Sequence, residues 1–80
     1  MISINVKFFG ATADTAGARE IAFNVPNGAT AGATLDFVVE RVPALARHKL
    51  LFAVNEDYLP AETQLRDGDE LAIFTAVSGG

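Results

Sequence analysis

The 80-residue sequence contains no cysteine and no tryptophan. Without cysteine the chain can form no disulfide, no thiolate metal site and no cysteine nucleophile. It also lacks a run of about 18 apolar residues, the length that a transmembrane helix requires. Its amino terminus lacks the charged segment and apolar stretch of a signal peptide. We therefore expect a cytoplasmic protein with no membrane partner.

Positive charge is scarce as well. Six Lys and Arg residues stand against ten Asp and Glu residues, which gives a formal net charge of −4 at pH 7. A surface that binds nucleic acid needs basic side chains to neutralise the phosphates. The charge balance therefore argues against nucleic acid as a partner. The hydrophobic content of 50% suits one small globular domain.

Alternation of apolar and polar residues predicts the strands. It is strict over residues 2–8 and residues 20–25, and residues 50–54 and 69–75 predict two further strands. A very short strand is also predicted at Tyr58-Leu59, closed by Pro60. Residues 10–17 are small and polar and predict a loop or a short helical turn.

One clear helix is predicted between the second and third strands. An apolar stripe at three- and four-residue spacing identifies it: Leu35, Val38, Val39, Val42 and Leu45. Thr30 or Thr34 could supply the N-cap hydroxyl. Pro43 is incompatible with a helix interior, so the helix should end near the residue before it. Proline is tolerated at a first helical position, so a further turn could follow through Arg47.

This order of elements favours an α+β fold, in which a mixed sheet of four to five strands packs on one main helix. The first two strands should form a hairpin. The first and last strands should lie parallel, joined through a right-handed crossover. This is the β-grasp arrangement of ubiquitin-like proteins. We place the domain at residues 1–75 and a flexible C-terminal tail at residues 76–80.

The tail ends in Gly79 and Gly80, which we expect to present a free α-carboxylate on a narrow thread of backbone. The carboxylate is ionised at neutral pH and is therefore a poor electrophile, which must be activated before its carbonyl carbon can be attacked. Adenylation by ATP provides that activation. Glycine has no Cβ, so the carbonyl is unhindered. The alternative is an ordinary frayed terminus of small residues.

Five short segments carry a family resemblance: VKFFG (6–10), AG (16–17), LFAVN (51–55), DGDEL (67–71) and VSGG (77–80). Together they resemble the small subunit of molybdopterin synthase over nearly the whole chain. The sequence departs from that family in two places. Many members have two prolines where this chain has Thr75 and Ala76, and residues 10–17 lack the Arg and Glu residues often found there.

The resemblance implies a sulfur carrier that is not catalytic alone. Gly80 would be adenylated with ATP by an enzyme related to ubiquitin-activating enzymes and then converted to a thiocarboxylate. Gly79, which has no side chain, would keep the tail narrow. The tail would enter the large subunit of the synthase, in a heterotetramer, and give sulfur to a cyclic pyranopterin precursor of the molybdenum cofactor. No metal or cofactor would be bound by the chain itself.

The strand phases predict a partner surface independently of the family. If Leu71 and Ile73 face the helix, the opposite face of the sheet carries an apolar patch beside the tail: Phe9, Leu51, Ala53, Ala72 and Phe74. Exposed apolar patches often mark interaction sites, although isolated apolar residues are common on surfaces. The remaining residues expected to contact the partner are in the tail: Thr75, Ala76, Val77 and Ser78.

Other chemistry-bearing residues favour structural roles. His48, the one histidine, has no visible nucleophile arrangement, so a solvated position at a helix end is favoured over catalysis. Asp67, Asp69 and Glu70 lack the ligand spacing of a calcium loop and are typical of a turn. Three other functions stay open: a sulfur carrier of the thiamine pathway, a ubiquitin-like modifier conjugated through Gly80, and an interaction domain whose tail does not react.

Overall fold

A computed structural model describes residues 1–76, in which four strands form one sheet of order β2-β1-β4-β3. The elements follow in chain order: β1 (Ile2–Phe8), α1 (Ala11–Ala16), β2 (Glu20–Val25), α2 (Ala31–Arg41), a short 3₁₀ helix (Pro43–Arg47), β3 (Leu50–Val54) and β4 (Glu70–Thr75). The α+β class and the β-grasp arrangement are confirmed. The short helix α1 is the helical turn predicted between residues 10 and 17.

The pairing of the strands brings two strand ends together. β1 forms an antiparallel hairpin with β2 and runs parallel to β4, which pairs antiparallel with β3. Val6 lies opposite Leu71, and Phe8 lies opposite Ile73. Because β1 and β4 are parallel, their carboxyl ends lie at the same edge of the sheet. The chain leaves β4 towards the tail at that edge.

The side of the sheet that faces α2 forms the hydrophobic core. Ile4, Val6, Leu71 and Ile73 are at most 2% exposed and belong to one buried cluster with Val38 of α2. Each such side chain contributes about 1.5–3 kcal/mol to folding when it is fully buried. The inward phase predicted for β1 and β4 is thus confirmed.

The two ends of α2 lie where the sequence predicts them. The Thr30 hydroxyl accepts a hydrogen bond from the Ala33 N–H at 3.1 Å, so Thr30 is the N-cap and Thr34 is not. The helix ends before Val42, its C-cap. Pro43 then starts the 3₁₀ helix, because its ring cannot continue the preceding helix but is tolerated in a first turn.

The very short strand predicted at residues 58–59 is wrong. Among the described residues the chain forms only a single bridge there, between Val54 and Asp57. Asn55 and Glu56 both have positive φ angles, of 48° and 71°. They reverse the chain directly after β3, so the return stays too short to pair as a strand.

Two carboxylates hold the turn that precedes β4. Asp67 Oδ1 accepts a hydrogen bond from the Ser3 N–H at 2.8 Å. The Asp69 carboxylate accepts bonds from the Arg66 N–H at 2.7 Å and from Asn55 Nδ2 at 3.0 Å. The predicted turn role of these aspartates is confirmed. β4 begins one residue later than predicted, because Asp69 belongs to this turn.

Candidate functional site

The tail leaves the sheet at the carboxyl end of β4. Thr75 is the last strand residue and lies opposite Leu50 of β3. The Ala76 N–H donates a hydrogen bond to the Lys49 carbonyl at 3.4 Å. Thr75 is half-buried and Ala76 is exposed. Four predicted site residues lie outside the described residues, and their roles stay predictions: Val77, Ser78, Gly79 and Gly80.

The face of the sheet turned away from α2 is apolar and partly exposed beside this exit. Phe9, directly after β1, is 51% exposed, and Leu51 of β3 is 40% exposed. Phe74 of β4 is half-buried and lies opposite Leu51. Tyr58, in the connection between β3 and β4, is 80% exposed, and its ring packs against that of Phe74. We term these four residues the exit surface.

Ala53 and Ala72 lie on the same face, but the prediction that they are exposed is wrong. They are 7% and 8% exposed. The two are register partners on neighbouring strands, and Lys7 of β1 is the other register partner of Ala72. An alanine methyl group is shorter than the side chains around it on a sheet, so those side chains cover it. The exposed apolar area is therefore smaller in the middle of the sheet than predicted.

Tyr58 is a member of the exit surface that the sequence pattern did not indicate. From the sequence, Tyr58 is predicted to lie in a short strand. The direction of a strand side chain depends on the pairing register, which the sequence does not define. The available signal was an aromatic residue in a polar connection (Asn55-Glu56-Asp57-Tyr58), where no apolar stretch was present to bury it.

The short helix α1 links the elements around the exit. Thr12 is fully buried, and its hydroxyl contacts the backbone of Phe9 and of Ile73. Thr15 Oγ1 lies 2.8 Å from Nε2 of His48 and is hydrogen-bonded to it. His48 lies at the end of the 3₁₀ helix, as predicted, but it is half-buried and not fully solvated.

An ion pair lies on the same sheet face. Lys7 Nζ is 2.9 Å from Glu70 Oε1. The hydrogen bond to Glu70, and then the charge of its carboxylate, raise the pKa of Lys7 above its ordinary value of 10.5. Lys7 is therefore cationic at neutral pH. The pair is partly exposed, so it contributes little to stability. It places charge next to the apolar exit surface.

An open groove borders the exit surface at Phe9 and is lined by charges of both signs: Lys7, Asp14, Arg19 and Glu20. Within residues 1–76, no three or more His, Asp or Glu side chains are grouped so that they could hold a metal ion. No helix in that part of the chain has the length and apolar character needed to cross a membrane.

Solved structures share this architecture. The crystal structure of SAMP1 from Haloferax volcanii has a TM-score of 0.86 at 33% identity, covering 98% of this chain and 99% of that chain. A chain in the complex of subunits 1 and 2 of molybdopterin-converting factor from Helicobacter pylori has a TM-score of 0.71 at 21% identity, covering 99% and 100%. The fold and the exit of the tail beside an exposed sheet face define a ubiquitin-like β-grasp protein.

Sequence relatives narrow this class to a family. The ThiS family matches residues 6–80. The molybdopterin synthase sulfur carrier subunit of Mycobacterium tuberculosis is 36% identical over 85 residues, which cover 100% of both chains. That of Haemophilus influenzae is 35% identical, covering 96% of this chain and 99% of its own. The chain belongs to the ThiS family, together with the molybdopterin synthase sulfur carrier subunits, and the resemblance seen in the sequence is confirmed.

Proposed function

We propose that the chain carries sulfur as a thiocarboxylate on Gly80 and donates it to a cyclic pyranopterin precursor in molybdenum cofactor biosynthesis. The observation that carries this proposal is the full-length match to relatives named as sulfur carrier subunits. In the proposed reaction the Gly80 carboxylate attacks ATP and forms an acyl-adenylate with release of pyrophosphate. Hydrosulfide then attacks the carbonyl carbon, AMP leaves, and Gly80 is left as a thiocarboxylate.

The described residues support a delivery role for the folded domain. The carboxyl end of β4 and the exit surface lie at one edge of the sheet, so a partner that binds this surface also meets the start of the tail. Residues 76–80 span roughly 16 Å when extended, enough to reach into a cleft of that partner. Gly79 and Gly80 have no side chains to obstruct a narrow channel.

We propose the large subunit of molybdopterin synthase as the partner at the exit surface, in a heterotetramer. Aromatic residues at a surface, such as the exposed Tyr58 and the half-buried Phe74, are the kind that dominate binding energy in protein interfaces. The Helicobacter pylori structure named above is itself a complex of two subunits. In this proposal the reacting base and the pterin pocket belong to the large subunit, the adenylating enzyme is a second partner, and the protein acts in the cytoplasm.

Intact-mass measurement tests the proposed chemistry. The chain is incubated with ATP, a sulfur donor and its cognate activating enzyme, and its mass is compared before and after. We expect a gain equal to the difference between one sulfur atom and one oxygen atom, located on the C-terminal peptide. A matched variant without Gly79 and Gly80 should gain nothing. An unchanged mass of the full chain, with the enzyme active on an established carrier, would contradict the proposal.

A second candidate is a protein modifier conjugated through Gly80. The high similarity to the small archaeal modifier protein 1 of Haloferax volcanii, with TM-scores of 0.88 and 0.86, favours it. Conjugation would leave a Gly-Gly remnant on lysines of other proteins after proteolysis. Detecting such remnants in cells that express this chain, and their loss when Gly80 is deleted, would support the modifier.

A further inference from the structure

We propose that Thr12 is a positioning residue, whose hydroxyl sets the place of Phe9 in the exit surface. The inference rests on the proposed function for the identity of the partner, the large subunit. The positioning itself is a property of the free chain. The position of an exposed aromatic ring depends on the position of the backbone that carries it, so the contacts of the Phe9 backbone decide where its ring lies.

The N–H and the carbonyl of Phe9 are both hydrogen-bonded to Thr12. The Phe9 N–H lies between two acceptors, the Ile73 carbonyl at 3.0 Å and Thr12 Oγ1 at 3.0 Å. The Phe9 carbonyl accepts from the Thr12 hydroxyl at 2.7 Å and from the Thr12 N–H at 3.3 Å. A hydroxyl can accept and donate at the same time, so one buried side chain holds both ends of this residue.

Apart from Thr12, the Phe9 backbone is held by the bond from its N–H to the Ile73 carbonyl. β1 has ended at Phe8, and the next residue is Gly10, with φ of 58° and ψ of −131°. Glycine adopts such angles without a steric cost but also adopts many others. Gly10 therefore permits the turn after Phe9 without fixing its direction. Thr12 fixes that direction from within α1.

Thr12 also links Phe9 to the strand that leads into the tail. Its hydroxyl oxygen also lies 2.9 Å from the Ile73 carbonyl oxygen, in a buried position, so the single hydroxyl hydrogen is shared between the Phe9 and Ile73 carbonyls. Ile73 directly precedes Phe74, the β4 member of the exit surface. The same oxygen atom thus connects the backbone of Phe9 to the backbone of β4. Because Thr12 is 0% exposed, water cannot replace this hydroxyl without opening the core.

Two variants separate positioning from simple stability. Thr12→Val keeps the shape and removes the hydroxyl, whereas Thr12→Ser keeps the hydroxyl and removes a buried methyl group. We expect Thr12→Val to weaken binding to the large subunit about three- to tenfold. This is the loss of affinity that corresponds to the net contribution of one hydrogen bond. Thr12→Ser should melt earlier than the unaltered chain yet bind within about twofold of it.

A double variant tests whether Thr12 acts through Phe9. In the Phe9→Ala background, Thr12→Val should cause no further loss of affinity, because the ring that it positions is gone. A full additional loss there would contradict the proposal. Equal affinity of Thr12→Val and the unaltered chain would also contradict it.

A measurement on the free full-length chain decides the positioning without a partner. The NMR resonances of the Phe9 ring should shift in Thr12→Val and stay in place in Thr12→Ser. If Thr12→Val does not fold, Thr12→Ala removes the same hydroxyl without any risk of overpacking. Unshifted Phe9 ring resonances in a folded variant without the hydroxyl overturn the inference. Failure of the unaltered chain to bind the large subunit contradicts the proposed function instead, and the resonances still decide the role of Thr12.

Discussion

The rings of Tyr58 and Phe74 pack edge to face, with centroids 6.0 Å apart and an angle of 71° between their planes. Such a pair contributes about 0.5–1.5 kcal/mol beyond the area that it buries. It holds Tyr58 against the sheet although this residue is 80% exposed. A partner that binds here meets a preordered aromatic surface, which lowers the entropic cost of association.

Phe74→Asp should weaken binding to the large subunit by about 2 kcal/mol or more, because a charge would replace a central apolar contact. The fold should persist, since Phe74 points away from the core. The matched control is Asn24→Asp, which adds the same charge to an exposed position on β2, away from the exit. Titration calorimetry and a thermal melt give the two readouts. Unchanged affinity in a folded Phe74→Asp variant would rule out this surface as the docking site.

Tyr58→Ala should cost about 1–2 kcal/mol of affinity, since it removes an exposed ring that packs on Phe74 in the exit surface. Tyr58→Phe is the matched control, because it keeps the ring and its packing on Phe74 and removes only the hydroxyl. We expect Tyr58→Phe to bind like the unaltered chain. Equal losses from both substitutions would show that the hydroxyl and not the ring makes the contact.

Thr34→Val should raise the free energy of unfolding by about 1 kcal/mol. Thr34 is fully buried in α2, and its Oγ1 has no hydrogen-bond partner in the described part of the chain. A buried polar atom without a partner costs about 1–3 kcal/mol, and valine has nearly the same shape. Thr12→Val is the matched comparison, because the Thr12 hydroxyl is hydrogen-bonded. We expect the Thr12→Val substitution to lower the free energy of unfolding. Urea denaturation checks both, and a destabilised Thr34→Val chain would contradict the assignment.

Asp69→Ala should lower the free energy of unfolding by about 1–2 kcal/mol, because it removes the acceptor of two hydrogen bonds in the turn before β4. Asp36→Ala, at an exposed position of α2, is the control and should change stability by less than about 0.5 kcal/mol. Equal effects of the two substitutions in urea denaturation would show that the turn carboxylate is dispensable.

The sequence predicted those parts of the fold whose signals are local. The bounds of β1, β2 and β3 match because each is an apolar pattern with clear ends, and the end of α2 follows from the chemistry of Pro43. The exposure of Ala53 and Ala72 depends on which side chains the register places beside them. Since no local pattern contains the register, that part of the prediction was wrong.

The contacts of α1 were beyond sequence reasoning for the same reason. The bond between Thr12 and Ile73 joins residues 61 positions apart, and the bond between Thr15 and His48 spans 33 positions. Small polar residues in a loop are compatible with many roles, and only the tertiary structure shows these two. The reactivity of the tail is predicted from the terminal glycines and the family segments, and it stays a prediction because residues 77–80 lie outside the described residues.

In the proposed function the carboxylate of Gly80 reacts and the folded domain delivers it. The most direct test measures molybdopterin formation in cells that lack their own small subunit and receive either this chain or the chain with one processing-resistant residue appended after Gly80. We expect cofactor from the unaltered chain and none from the capped chain, although the capped chain keeps its exit surface. Undiminished cofactor formation with the capped chain would contradict a reaction at the Gly80 carboxylate.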